Sequence, residues 1–386
     1  MSKLQELIRE LCPNGVEYKT IRETVGVNRG KRLTKRQLSD DGKYEVYHGS
    51  KDSILGKYDE FNAPENTVII INTGGIGGVK FLDRPFWCSD GSFWLGQAKY
   101  VNPKFLYYYL SGYEDFFYSQ RRVVGVPTID RSVIEKFEIP IPPPEVQGEI
   151  VKILDHFTDL AAELQAELQA RKEQYEYYRN KLLTFAKIGG GTQSVTWMKM
   201  SEIGDICMCK RIMKEQTNST SGIPFYKIGT FGKVADAYIS RELYEDYKKR
   251  FSFPVKGEIL ISASGTIGRS VIYDGKDAYF QDSNIVWIHN DETKVLNKYL
   301  YYYYQIVEWN VEGGTIKRLY NNNLAKTKIA VPSLSEQERI VAILDKFEVL
   351  VNDLSQGLPA EVAAVQEQYE YYRNKLLSFS RADMSA

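Results

Sequence analysis

Five positive charges crowd into eight positions near the start of the chain: Arg29, Lys31, Arg32, Lys35 and Arg36, with no acid among them. Lysine and arginine on loops supply phosphate contacts, and arginine also makes bidentate contacts to guanine in the major groove. Shorter clusters occur at Arg121-Arg122, Lys248-Lys249-Arg250 and Lys317-Arg318. A solvated surface run explains any single cluster equally well. Lys31-Arg32 stands apart, because it falls on Lys210-Arg211 when the two halves of the chain are aligned. A second set of candidates is small, polar and bound to glycine turns: Asn72, Thr73, Gly75, Ser262, Ser264 and Thr266, with Lys227 and Arg269 in the second half. Such residues donate to phosphates or base edges, or cap the turn that carries them, and their types favour neither role.

No catalytic constellation accompanies them. There is no Walker A motif. The nearest string to an Asn-Pro-Pro-aromatic methyltransferase motif, Asn102-Pro-Lys-Phe105, lacks the second proline. Thr73 to Gly78 has neither the GxGxxG spacing nor a Walker lysine, and reads as a tight strand-to-strand turn. No acid pair or Ser/His/Asp set recurs in both halves. Cys12, Cys88, Cys207 and Cys209 form no paired CxxC motif and read as free thiols in a cytosolic protein. Three histidines are too few and too scattered for a metal site. Lysine plus arginine equals aspartate plus glutamate at 50 each, so a nucleic-acid role needs local rather than overall positive charge. No run of eighteen apolar residues exists and no apolar signal core opens the chain, which predicts no membrane span and a cytoplasmic location.

These candidates must be positioned by a duplicated framework. Gln174-Tyr-Glu-Tyr-Tyr-Arg-Asn-Lys-Leu-Leu-Thr-Phe185 returns as Gln368-Tyr-Glu-Tyr-Tyr-Arg-Asn-Lys-Leu-Leu-Ser-Phe379, the mark of a doubled unit. Each copy ends a long amphipathic run of 3.5-residue period, the pattern of a coiled-coil seam. The first seam includes Leu154, Phe157, Leu164, Leu168, Tyr175, Tyr178 and Leu182. The second includes Leu344, Phe347, Val351, Leu354, Tyr369, Tyr372 and Leu376, with a four-residue stutter at Gly357 and Pro359 where one helix should stop and another begin. Two such stripes separated by a globular domain most simply pair antiparallel. The prediction is an α+β protein: an N-terminal helical segment (1–15), a mixed α/β globe (16–144), a central helix (145–188), a second globe (189–334) and a C-terminal helix (335–380). Gly189 to Gln193 reads as a flexible joint. Thr67–Ile71 and Phe93–Tyr100 read as strand, Lys104–Phe117 as helix, and the tyrosine runs 107–109 and 301–304 as core rather than stacking platforms.

The motif Ile-Pro-x-Pro … Gln-x-x-Ile-Val-x-Ile-Leu-Asp-x-Phe enters each long helix, at 139–157 and 329–347. Together with the repeated helix tails, it resembles the specificity subunit of type I restriction-modification systems, over essentially the whole chain. Ala161-Ala-Glu-Leu164, Gln165-Ala-Glu-Leu168 and Gly357-Leu-Pro359 are similar to the spacer of the type IC branch. The resemblance implies two target-recognition domains, each reading one half of a bipartite asymmetric site in double-stranded DNA. It implies paired helices that fix the gap and dock two modification (adenine-N6 methyltransferase) subunits, with restriction (ATP-dependent translocase and endonuclease) subunits joining them. S-adenosylmethionine, ATP and Mg would be used by those partners, with no cofactor bound by this chain. The alternative is a stand-alone bipartite DNA-binding regulator without enzyme partners. A single-chain enzyme is disfavoured by the missing motifs.

Overall fold

The computed structural model describes residues 3–123, 125–185, 195–314 and 317–382. The joint expected at Gly189–Gln193 lies outside the described residues. The principal helices are α1 (Lys3–Leu11), α2 (Pro103–Ser111), α3 (Pro144–Leu183), α4 (Asn297–Tyr303), α5 (Leu334–Asn352) and α6 (Leu358–Leu376). Two compact units form, Met1–Gln165 with Glu361–Ala386, and Ala166–Ala360. The first unit therefore combines a globe with helix residues from a distant stretch of sequence, while the second is one continuous stretch that holds a globe and parts of the long helices on either side of it.

The two globes share one framework of sheets, to which the second adds a helix, Arg241–Arg250, and a short edge strand, Thr217–Asn218. In the first, Glu17–Thr20 pairs antiparallel with Glu138–Ile141; in the second, Thr196–Lys199 pairs antiparallel with Lys328–Val331. A four-stranded antiparallel sheet follows in the order Val27–Arg29, Ser92–Leu95, Thr67–Ile71, Val79–Leu82. Its counterpart runs Asp205–Cys207, Ile285–His289, Ile259–Ser262, Ser270–Ile272. Thr67–Ile71 and Ile259–Ser262 are buried throughout, as central strands rich in β-branched residues should be. A smaller sheet sets Tyr44–Tyr47 between antiparallel Gly56–Tyr58 and parallel Trp87–Cys88. Ile223–Tyr226 likewise lies between antiparallel Tyr238–Ile239 and parallel Tyr279–Phe280.

Helix α2 packs on the first four-stranded sheet and α4 on the second. Tyr108, Tyr109, Tyr302 and Tyr303 are buried there, so these members of the tyrosine runs are core. Two sequence expectations need correcting. The helix expected over 104–117 divides into α2 and a short helix Glu114–Ser119. The turn at Gly112 lets Tyr113 pack on both Tyr109 and Phe137, with ring centroids 5.1 Å apart in each pair. The strand expected to reach Tyr100 stops at Leu95: the Gly96 amide makes the last ladder bond, to the Gly26 carbonyl (3.2 Å), and the chain then turns, the Val101 amide donating to the Ala98 carbonyl (3.1 Å).

Helix α3 runs 40 residues without interruption from Pro144, a proline placed where its missing N–H costs nothing. Within the first unit Phe157 stacks on Tyr372, centroids 5.3 Å apart. Within the second, Tyr178 stacks on Phe347 at 5.8 Å. Partner numbers fall as α3 numbers rise, which is the antiparallel sense. The stutter is a true break: α5 ends at Asn352, and the Asp353 carboxylate accepts the amides of Ser355 (2.7 Å) and Gln356 (3.2 Å). Leu354, expected in the seam, is instead 82% exposed in that turn, and Leu358 takes the buried position. At the tails Leu183 and Leu377 are buried and Leu182 and Leu376 only half-buried. A straight helix of 3.6 residues per turn drifts by about one position from a 3.5 repeat over this length.

The first unit is closed by a distant segment. The Ser380 carbonyl accepts the Val16 amide (2.8 Å), the Val16 carbonyl accepts the Ala382 amide (3.0 Å), and the Tyr18 hydroxyl donates to the Phe379 carbonyl (2.9 Å). Arg381 forms an ion pair with Glu138.

Candidate nucleic-acid interface

The basic loop is built the same way in both globes. Lys31 through Gln37 and Lys210 through Gln216 each enter a single 3-10 turn, Lys35–Gln37 and Lys214–Gln216. In each, a glutamine carbonyl oxygen accepts the backbone N–H three residues earlier, Gln37 from Thr34 (3.0 Å) and Gln216 from Met213 (2.8 Å). An aromatic donor pins the root. Trp87 Nε1 donates to the Lys31 carbonyl (2.7 Å) and the Tyr279 hydroxyl to the Lys210 carbonyl (3.0 Å). Neither aromatic was recognisable as a site residue in the sequence, since its role depends on strands that meet only in the fold.

The loops differ in charge. Arg29, Lys31, Arg32, Lys35 and Arg36 are all exposed, and none has an ion-pair partner among the described residues. In the second globe Arg211 pairs with Asp282 (3.0 Å), Lys227 with Asp236 (2.9 Å), and Glu215 stands where the first copy has Arg36. Lys210 is exposed, its ammonium 5.2 Å from the Phe251 ring centre.

The glycine turns adjoin these loops through a shared neighbour. In the first globe Lys31 donates its amide to the Cys88 carbonyl (2.9 Å), while Asn72 and Thr73 donate theirs to Gly91 (2.8 and 3.2 Å). The strand end and turn 88–91 thus hold the basic loop on one side and the glycine turn on the other. In the second globe the turn 281–284 does the same work, through Asp282 to Arg211 and through Asn284, whose side chain accepts from Ser264 Oγ (2.8 Å). Gly75 is tied back to the Gly49 carbonyl (2.8 Å). Gly77 and Gly268 have φ of 84° and are hemmed in. A Cβ at Gly77 would lie 2.8 Å from the Glu114 carbonyl oxygen, and one at Gly268 would strike the Trp309 indole.

The small polar candidates divide. Asn72, Ser262 and Ser264 are buried. Asn72 Oδ1 accepts the Ile129 amide (3.0 Å), and Ser262 Oγ donates to the Thr266 carbonyl. Ser262 thus caps its own turn, the second of the two roles open to these residues, while Asn72 and Ser264 tie their turns to the distant segments at Ile129 and Asn284. Thr73 is half-buried, while Gly75 and Thr266 are exposed. Arg269 is half-buried and donates to the Phe231 carbonyl (3.0 Å). Arg121 lies over the Tyr118 ring (3.8 Å), Arg122 pairs with Asp130 (3.0 Å), Arg318 donates to the Ser283 carbonyl (2.6 Å), and Lys317 is exposed. The two arginine-containing pairs occupy opposite arms of corresponding segments, which the alignment of the halves did not reveal.

Two further side chains, each present twice, hold the globes on their helices. Gln147 is buried; its amide nitrogen donates to the carbonyls of Tyr100 (2.9 Å) and Pro142 (2.7 Å), and its oxygen accepts the Asn102 amide (2.7 Å). Gln337 does the same with Lys294 and Pro332 (2.9 Å each) and the Leu296 amide (2.8 Å). Asp155 accepts from the Tyr108 hydroxyl (2.6 Å) and Lys104 (2.7 Å), and Asp345 from Tyr302 and from Lys298 (2.8 Å). Burial, then the adjacent carboxylate, pushes both tyrosine hydroxyls far above their ordinary pKa. Burial also raises the Cys88 thiol and lifts Cys209 to about 12, so neither serves as a thiolate nucleophile near neutral pH. All four cysteines are free. Among the described residues no group of His, Cys, Asp and Glu side chains suits a metal ion, and no helix is long and apolar enough to cross a membrane.

The family model described as the type I restriction modification DNA specificity domain matches twice, over residues 13–173 and 194–364. A Haemophilus influenzae protein named as a type I restriction enzyme specificity subunit is 45% identical over 382 residues, covering 95% of this chain and 96% of its own. The EcoR124I/EcoR124II specificity subunit of Escherichia coli is 34% identical over 273 residues, 64% of each chain. The crystal structure of the S subunit of a type I restriction-modification system from M. genitalium shares the fold, with a TM-score of 0.60 at 17% identity, covering 96% of this chain and 97% of that one. The chain belongs to the type I restriction-modification specificity family, whose members carry the system's sequence recognition and not its catalysis.

Proposed function

We propose that each globe reads one half of a bipartite, asymmetric site in double-stranded DNA, through its basic loop and the neighbouring glycine turn. The paired helices fix the gap between the half-sites and dock two modification (adenine-N6 methyltransferase) subunits, and restriction subunits complete the assembly. S-adenosylmethionine, ATP and Mg belong to those partners, and the complex works in the cytoplasm. The observation that carries this reading is the same aromatic-pinned basic loop presented twice, at Lys31 and Lys210, on globes whose sequences have otherwise diverged. Two unlike readers on one repeated frame suit an asymmetric two-part site.

The test is single-molecule sequencing of adenine methylation in cells carrying this chain and its partner genes. Deleting Gln165 to Leu168 removes one four-residue repeat, about 6 Å of helix, against about 3.4 Å per base-pair step. The methylated site should keep both half-sites and change its spacer by about one or two base pairs. A changed half-site sequence with an unchanged spacer would refute the role given to the helices.

A further inference from the structure

Residues 47–49 cross the first globe where its basic loop and its glycine turn come together. The Tyr47 carbonyl accepts the Ser89 amide (2.8 Å), the His48 carbonyl accepts from Ser92 Oγ, and the Gly49 carbonyl accepts the Gly75 amide (2.8 Å). The His48 side chain is 40% exposed, and its ring is fixed at one end. Nδ1 accepts the Gly91 amide (3.2 Å), with Ser89 Oγ at 3.3 Å and Asp90 Oδ1 at 3.5 Å. A Cβ at Gly91 would lie 2.6 Å from Nδ1, so the ring occupies space that a side chain there would fill. The other nitrogen, Nε2, has no hydrogen-bond partner among the described residues. A backbone N–H can only donate, so the neutral ring carries its proton on Nε2; a charged ring beside Asp90 carries one there as well. Nε2–H is therefore a donor in either state, held in place and unused.

We infer that His48 is a specificity-determining residue: its Nε2–H donates to the major-groove edge of one guanine, at N7 or O6, in the half-site read by the first globe. This rests on the proposal that each globe reads one half-site through its basic loop and glycine turn, and it names a base-reading atom there. Phosphate contacts position a protein on DNA, and contacts to base edges specify the sequence. Readout of an edge needs a group whose direction is set by its neighbours, and the short, braced ring of His48 has that property. Guanine presents two adjacent acceptors on this edge and no donor, whereas adenine and cytosine present amino donors that a donor-only group cannot use. The second globe keeps the bracing acid and changes what it faces. Asp90 falls on Asp282, which holds Arg211 (3.0 Å), and His48 falls on Lys227, which pairs with Asp236 (2.9 Å). One carboxylate position serving two different donors is what two unlike half-sites require.

The test uses the assembled complex. Exchanging residues 16–144 for the corresponding globe of another family member, then sequencing adenine methylation in single molecules, identifies the half-site that belongs to the first globe. His48→Asn keeps an acceptor for the Gly91 amide and removes the outer donor. It should relax one guanine of that half-site and leave the other half-site unchanged. Affinity for the original sequence should fall about tenfold, with no change in the slope of log K against log salt. Duplexes carrying 7-deazaguanine or 2-aminopurine at that guanine remove N7 or O6 in turn. One of the two should cost the unsubstituted chain the same tenfold and cost the His48→Asn chain nothing. An unchanged half-site overturns the assignment, as does a half-site without guanine. A salt slope lowered by about one does so too, since the contact would then be to a phosphate. The analogue duplexes need no variant, and if neither weakens binding by the unsubstituted chain at any guanine of that half-site, the assignment falls. If the globe exchange alters neither half-site, the reading of one globe per half-site fails instead.

Discussion

Arg32 and Arg211 occupy matching places in the two globes, yet among the described residues only Arg211 has an acid beside it. A guanidinium already paired with a carboxylate gains less from a phosphate, since it must first give up that partner. The loop around Lys31 therefore carries more uncompensated charge than the loop around Lys210. Each phosphate neutralised contributes about 0.9 to the slope of log K against log salt. Lys31→Ala with Arg32→Ala should lower that slope by about 2 and weaken DNA binding by the assembled complex about tenfold near physiological salt, with subunit assembly intact. Lys210→Ala with Arg211→Ala should do less on both counts. Filter binding across a salt series checks the order; equal effects would mean that Asp282 does not restrain Arg211.

Each long helix is fixed to its globe at its first turn by one glutamine. Both polar atoms of the Gln337 side chain are engaged with backbone groups, the oxygen with the Leu296 amide and the nitrogen with the carbonyls of Lys294 and Pro332. Gln337→Ala should cost about 3 kcal/mol, because truncation strands buried donors and acceptors. The exposed Gln169→Ala should stay within about 0.5 kcal/mol. Urea unfolding midpoints separate the two. The helices were the most legible part of the sequence: their period, the proline entry and the break at Gly357-Leu-Pro359 all come from local spacing that survives into the fold. The loops were legible as charge and not as structure. That Asn72 and Ser262 face inward, that Leu354 turns out to solvent, and that Trp87 and Tyr279 hold equivalent carbonyls all depend on segments far apart in sequence. The Gln and Asp of the helix-entry motif were visible as a repeated string, but nothing local said that their partners were Tyr100, Tyr108 and their counterparts.

Across the whole chain, duplication explains which parts stay alike and which change. The frame, the helix entries and the tails repeat, while the surfaces around the basic loops diverge in charge and in the small polar residues of the glycine turns. Exchange of one globe should then alter one half-site without disturbing the frame. The segment that closes the first globe comes from the far end of that frame, and removing everything from Leu377 onward should loosen the first globe while sparing the second. Hydrogen exchange would show it as faster amide exchange in Glu17–Thr20 and unchanged exchange in Thr196–Lys199. The pairing of Tyr18 with Phe379 spans 361 residues, which has a bearing on biosynthesis. On the ribosome, the globe translated earliest is the one completed latest, and until that closing segment emerges the first globe is left with an unfinished rim.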